Sequence, residues 1–205
     1  MRGLLNTQIS KFDCDNFFDF PELQACDEIL NSSYLDFDTL RSYRKSDKFL
    51  YTPHFFCDDY KFNCIWDMPS RYLTYFKQFR QVVMPDFSLY YDYPVALQIF
   101  NKYRNHWLAR FWSENGISVI PNISLSLPVF HELTIIGYPK NSIVAFSDIG
   151  IAKNNIYSDI VDSSFRFMVK ELNPVKVLYF TRSASVQYSD VDIINVPYLK
   201  GDYNG

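Results

Sequence analysis

Glycine is scarce, with six residues in a chain of 205. None is grouped as a phosphate-cradling loop requires, which excludes a dinucleotide fingerprint and a P-loop. The nucleophile elbow G-x-S-x-G and the metalloprotease helix H-E-x-x-H are missing as well. The three histidines, His54, His106 and His131, have no serine or cysteine motif around them. Four cysteines, Cys14, Cys26, Cys57 and Cys64, form no C-x-x-C pair and stand at no zinc-ligand spacing from a histidine. They read as reduced thiols of a cytoplasmic protein. Cys57 sits beside two aspartates and is a poor nucleophile, because adjacent negative charge opposes the thiolate. No apolar run approaches the length of a membrane span, and the amino terminus lacks the apolar stretch of a signal peptide. A formal net charge of −3 gives no global attraction for nucleic acid. Local basic groups remain at Arg41, Arg44, Lys45 and Lys48, and at Lys102, Arg104 and Arg110.

What the chain does have is an alternation of short apolar strands with helix-period segments. Gln81-Val-Val-Met-Pro-Asp-Phe-Ser88 runs apolar into a polar end, and Ile117 to Ser124, Ser142 to Asp148 and Val175 to Thr181 repeat the pattern. Between them lie amphipathic segments over Pro94–Asn115 and Tyr157–Leu172. An earlier unit comprises a strand over Phe49–Phe56 and a helix over Pro69–Phe79. A last short strand is expected over Val191–Val196. Strands joined by helical crossovers pair in parallel. The expected class is therefore α/β, a mostly parallel sheet of repeated β/α units forming a partial or irregular TIM-like barrel, with an open doubly wound sheet as the alternative. The length after Phe49 holds roughly five or six units, fewer than a complete barrel of about 250 residues accommodates. Residues 1–48 read as an acidic N-terminal arm, with a short helix from Pro21 to Leu30 packed through Phe17, Phe18, Leu23, Ile29 and Leu30; residues 49–205 form the α/β domain.

Projected at 100° per residue, the Pro94–Asn115 helix carries an apolar stripe of Ala96, Ile99, Phe100, Tyr103, Trp107 and Phe111. Arg104 falls inside that stripe and needs an anionic partner, for which Asp86 is the obvious strand-end carboxylate. Asn101 and Asn105 project toward solvent and His106 to the flank.

Ligands of parallel sheets sit at the carboxyl ends of the strands. Those ends carry Asp58 and Asp59, Asp86 and Ser88, Asn122 and Ser124, Ser147 and Asp148, Arg182 and Ser183. Asp58, Asp59, Asp86 and Asp148 are the candidate catalytic carboxylates. Asp58 and Asp86 are the candidate ligands for Mg²⁺ or Mn²⁺, since hard cations take carboxylate oxygens. Arg104 and Arg182 would neutralise a phosphate group, which implies a nucleotide or nucleic-acid substrate. Paired carboxylates also suit glycoside hydrolysis, and aspartates at strand ends commonly cap the next helix. A non-catalytic alternative captures a host protein or nucleic acid through Tyr90, Tyr91 and Tyr93.

The blocks His54–Phe62, Met84–Tyr90, Pro94–Trp107 and Gly116–Asn122 resemble the family called domain of unknown function 4417, in the same order and over roughly residues 49–181. That resemblance implies a protein of phages, prophages and other mobile elements with no established activity. It draws attention to Asp58, Asp59, Asp86, Ser88, Tyr103, Arg104, Asn105 and Trp107. With the strand-end reading, the candidate ligand-binding set is Ser88, Tyr90, Arg104, Asn105, Asn122 and Arg182.

Overall fold

The computed structural model describes residues 6–7, 9–31, 33–89, 92–124, 128–149, 155–182 and 185–198, with the backbone alone at 45, 46, 128 and 155–157. Tyr90, Tyr91 and Ser183 lie outside the described residues. Among these residues the strands are β1 Tyr34–Asp36, β2 Thr52–His54, β3 Gln81–Val83, β4 Ser118–Ile120, β5 Asn122–Ile123, β6 Ile143–Ser147, β7 Lys176–Thr181 and β8 Ile193–Pro197. The helices are α1 Phe37–Leu40, α2 Asn63–Asp67, α3 Pro69–Phe76, α4 Val95–Glu114, α5 His131–Ile135 and α6 Asn155–Leu172. Every strand pair is parallel, as the alternation predicts. Hydrogen bonding divides the strands into β1-β2, β3-β4 and β5-β6-β7-β8. Among the described residues no closed barrel ladder links the three sheets.

Apart from β8, whose residues are mostly half-buried or exposed, the strands are short and buried on both faces, as apolar parallel strands must be when elements cover each side. One face packs outward. Val161, Phe165, Met168 and Leu172 recur at helical spacing on α6 and cover Val144, Phe146, Val177 and Tyr179. A second cluster joins α3 and α4 to β2, β3 and β4, with Trp112 against Phe55 and Phe76. The third lies inside: Cys26, Tyr34, Phe56, Val83, Ile120, Ala145, Leu178, Phe180 and Val196 meet there, drawn from all three sheets.

The segment expected as a helix from Pro21 to Leu30 is not helical. Its backbone is stapled along the amino ends of the strands instead. Gln81 accepts a hydrogen bond from Leu30 N at 3.0 Å and donates to Glu28 O at 2.9 Å. Ser142 Oγ accepts from Cys26 N at 2.8 Å, and Ile143 N donates to Cys26 O at 2.8 Å. Leu23 N donates to Gly137 O, and Pro21 O and Glu22 O are bonded by His106 and Arg110. Carbonyls and amides used this way are unavailable to an i→i−4 ladder. Phe17, expected to pack inward, is 92% exposed. The expected arm also supplies β1, whose Tyr34–Asp36 pairs with Thr52–His54.

Two glycines shape this frame. Gly116 ends α4 at φ +81°, the left-handed position that glycine fills without a Cβ clash. Gly137, at φ +79°, also allows a close approach, because a Cβ there would lie 3.1 Å from the His106 ring and 3.3 Å from Pro21 O.

Candidate functional site

Polar contacts line the carboxyl ends of the strands, and the charge of Asp59 acts on Asp86 there. Asp59, on the 3₁₀ turn after β2, accepts hydrogen bonds from Ser88 Oγ at 2.8 Å and Ser88 N at 3.2 Å. Asp86, after β3, accepts from Asn122 Nδ2 and Ser124 Oγ, both at 2.9 Å and both on Oδ1. Farther round, Thr181 Oγ1 donates to Asp148 Oδ2 at 2.8 Å. The exposed Arg182 lies over the Tyr198 ring at 4.6 Å, and Tyr198 packs on His54 at the end of β2. Asp59, Asp86, Ser88 and Asn122 therefore form one group. Asp148 and Arg182 belong to the β6–β8 side. Asp58 is exposed beside the group, and its side chain caps nothing.

Helix α4 holds this group in place with a stripe that sequence reasoning misassigned. Gln98, Asn101, Lys102, Asn105 and His106 are all buried, whereas Val95, Ala96 and Leu97 on the same helix are exposed. Asn101 and Asn105 do not face solvent, and His106 is fully enclosed. The reason is the loops that the stripe serves. Asn105 bonds both Phe87 N at 2.8 Å and Phe87 O at 3.1 Å, and Asn101 donates to Ser88 O at 2.7 Å. Gln98 donates to Tyr93 O at 2.9 Å. Loop backbone without a ladder partner must find side-chain partners when buried, and these amides supply them. Their action on Phe87 and Ser88 fixes the flanks of Asp86.

Arg104 does not pair with Asp86. Its guanidinium donates to Asn63 Oδ1 at 2.9 Å and to Asn101 Oδ1, and its Cζ lies 3.6 Å from the centre of the Phe87 ring. It forms no salt bridge among the described residues, and its Nε is buried without a hydrogen-bond partner there. The charges of Asp59 and Asp67 act on it at longer range.

Lys102 and His106 form a second network that the sequence did not announce. Lys102 Nζ lies 2.8 Å from His106 Nε2 and donates to Thr134 O at 3.1 Å, over the face of Tyr138. With His106 Nδ1 donating to Pro21 O at 2.9 Å, the neutral tautomer leaves Nε2 to accept from Lys102. Burial holds both pKa values well below their ordinary range. Tyr138 in turn donates to Asn122 O, so the network reaches the backbone that carries Asn122.

The electrostatics single out Asp86. Burial pushes its pKa up to about 6; bonds from Ser124 and Asn122 oppose this, and the charge of Asp59 pushes further. Burial also raises Asp59, against the Ser88 bonds and Arg104. Both carboxylates hold a proton more readily than usual, and neither forms a salt bridge among the described residues. Asn122 Oδ1 adds a buried acceptor with no hydrogen-bond partner among the described residues. No group of three or more His, Cys, Asp or Glu side chains suited to a metal occurs among those residues. The available donor set is therefore two carboxylates plus neutral oxygens, which fits a hard, largely hydrated cation and no thiophilic one. No described helix is long and apolar enough to cross a membrane.

The family model described as Domain of unknown function (DUF4417) matches residues 12–198. This extends the resemblance read from residues 49–181 back into the stapled N-terminal segment. The chain is 34% identical over 127 residues to the Gene 1 protein of Mycobacterium phage L5, covering 62% of this chain and 56% of that protein. It is 30% identical over 147 residues to the Gene 1 protein of Mycobacterium phage D29, covering 72% of this chain and 53% of that protein. The chain thus spans about half the length of these curated relatives. No solved structure matches.

Proposed function

Because the chain belongs to the DUF4417 family of phage proteins, whose name assigns no activity, we propose a function from the Asp59–Asp86 group: metal-assisted chemistry on a phosphate-bearing substrate. The observation that carries this reading is the pair of protonation-prone carboxylates beside the unpartnered Asn122 Oδ1. Mg²⁺ and Mn²⁺ are held by one or two carboxylates with waters and substrate phosphate completing the shell. Asp59 and Asp86 would be the charged ligands, with Asp59 in the place that sequence reasoning gave to Asp58, and Asn122 Oδ1 a neutral one. When bound, the cation would polarise a phosphoryl oxygen. Arg104 has a free Nε and lies within electrostatic reach of Asp59; it would offset phosphate charge. The charge of Asp59 acting on Asp86, and the packing of Arg182 on Tyr198 and of Tyr198 on His54, support strand ends converging on one mouth, as in an irregular barrel. The phage origin of the relatives supports action in the cytoplasm of a bacterial host.

Cation binding must displace the proton from Asp86, so affinity should fall as pH drops below about 6. Thermal unfolding with Mn²⁺ or Mg²⁺ tests this. At a hundred times Kd a ligand adds about 2.7 kcal/mol to stability, a rise of roughly 5–10 °C for a domain of this size. The rise is expected at pH 7.5, reduced at pH 5.5, and lost in folded Asp59→Asn and Asp86→Asn. A midpoint indifferent to both cations contradicts the proposal and favours the alternative of a non-catalytic binding protein.

A further inference from the structure

A groove apart from the carboxylate pair gathers positive charge and aromatic surface on a chain whose net charge is negative. Its volume is about 520 Å³, and Arg41, Tyr60, Lys61, Arg71 and Tyr72 line it with Asp38. Lys61 is only two residues beyond Asp59, at the end of the same 3₁₀ turn. Arg41 follows α1, and Arg71 and Tyr72 project from the first turn of α3.

The cations are not committed to one another's partners. Asp38 stands 3.7 Å from Arg41 and 3.8 Å from Lys61, well beyond the roughly 2.7–2.9 Å of a charge-assisted hydrogen bond. Arg71 forms no salt bridge among the described residues, and its guanidinium lies 4.0 Å from the Met68 sulfur. Three cations against Asp38 leave an excess of two positive charges, which the exposed Asp58 near Lys61 reduces. That balance matches the single charge of a phosphodiester better than a triphosphate. The aromatic walls differ in exposure. Tyr72 is fixed against Phe37 and Tyr75, whereas Tyr60 is 76% exposed and carries no aromatic neighbour among the described residues. A held ring and a free ring beside a cationic floor suit a base with its phosphate.

We infer that this groove binds a nucleotide unit, its phosphate on Arg41, Lys61 and Arg71 and its base on Tyr60 and Tyr72. The unit belongs either to a free nucleoside monophosphate or to a single strand. This site is independent of divalent cations and therefore of the function proposed for Asp59 and Asp86.

The test is fluorescence anisotropy of a labelled oligothymidylate in EDTA, with thymidine monophosphate as competitor. The full chain is compared with Tyr60→Ala, Arg71→Ala and Arg71→Glu, each first shown by its unfolding midpoint to be folded. Loss of one stacking ring should weaken binding roughly 5- to 100-fold. Removal of Arg71 should lower the salt slope by about 0.7 for a single strand. Competition by the monophosphate at matching affinity identifies the free nucleotide as sufficient; binding of the strand alone identifies the strand. Wild-type affinity in both Tyr60→Ala and Arg71→Glu would overturn the inference, and so would failure of the wild-type chain to bind either probe at millimolar concentration.

Discussion

Replacement of Asn105 by alanine is expected to lower stability by about 3 kcal/mol, although the residue is polar and lies mid-helix. Its amide satisfies Phe87 N and Phe87 O at once, in a place where it is itself 1% exposed. A buried donor or acceptor stripped of its partner costs about 1–3 kcal/mol, and this truncation strips two. An ordinary solvent-facing asparagine would change stability by less than about 0.5 kcal/mol. Urea unfolding decides between them. Asn105→Asp retains the bond from Phe87 N but puts an acceptor opposite Phe87 O, and so should recover little.

Phe180→Ala should cost about 3–5 kcal/mol, the range for emptying a buried aromatic site. The ring touches Tyr34, His54 and Phe56, with centres 5.4, 5.0 and 4.7 Å away. One residue of β7 thereby joins the β5–β8 sheet to β1 and the end of β2. The loss should have a second signature. Burial holds the His54 pKa down to about 4, against the charge of Asp36. Water admitted to the cavity relieves that burial, so His54 should titrate closer to 6.5. Unfolding free energy with an NMR titration of the histidine reads both. A small stability loss with His54 unchanged would mean that the sheets do not depend on this contact.

The parallel strands and the two long helices were legible in the sequence because their signals are local. Gln81–Val83, Ile143–Ser147 and Lys176–Thr181 carry the apolar runs of buried strands, and α4 and α6 carry helical spacing over many turns. The N-terminal segment was not legible. Pro21 and the residues after it look like a helix start, but the groups that hold them extended lie 51 and 116 positions away, at Gln81 and Ser142. The site was half legible. Polar strand ends located Asp59, Asp86, Ser88 and Asn122, yet adjacent Asp58 and Asp59 could not be told apart until the turn aimed one at Ser88. The stripe on α4 was misread because polar residues at helical spacing usually face water. Apart from Lys102, its composition held the missed signal: Gln98, Asn101, Asn105 and His106 are amides and an imidazole, suited to bonding loop backbone, where a wet face would carry Lys and Glu throughout.

Asp86 is kept as a largely buried carboxylate at a cost to the fold. Its pKa in the folded protein, about 6 against an ordinary 3.8, sets an upper bound near 3 kcal/mol. The side chain retains some accessible surface, so a cost of about 1–2 kcal/mol is expected after solvent screening. The folded state binds this proton more tightly than the unfolded chain. The cost is therefore present above pH 6 and relieved as pH falls from 6 toward 3.8. Asp86→Asn keeps the Oδ1 that accepts from Asn122 and Ser124 and removes the charge. The deciding measurement is the difference in urea unfolding free energy between wild type and Asp86→Asn from pH 7.5 to pH 5, in which shared contributions from His54 and His106 cancel. The account predicts a variant more stable by about 1–2 kcal/mol at pH 7.5, with up to about half of that advantage gone at pH 5. A variant less stable than wild type at pH 7.5, or a difference independent of pH, would contradict it and make Asp86 a structural acceptor for the β5 loop.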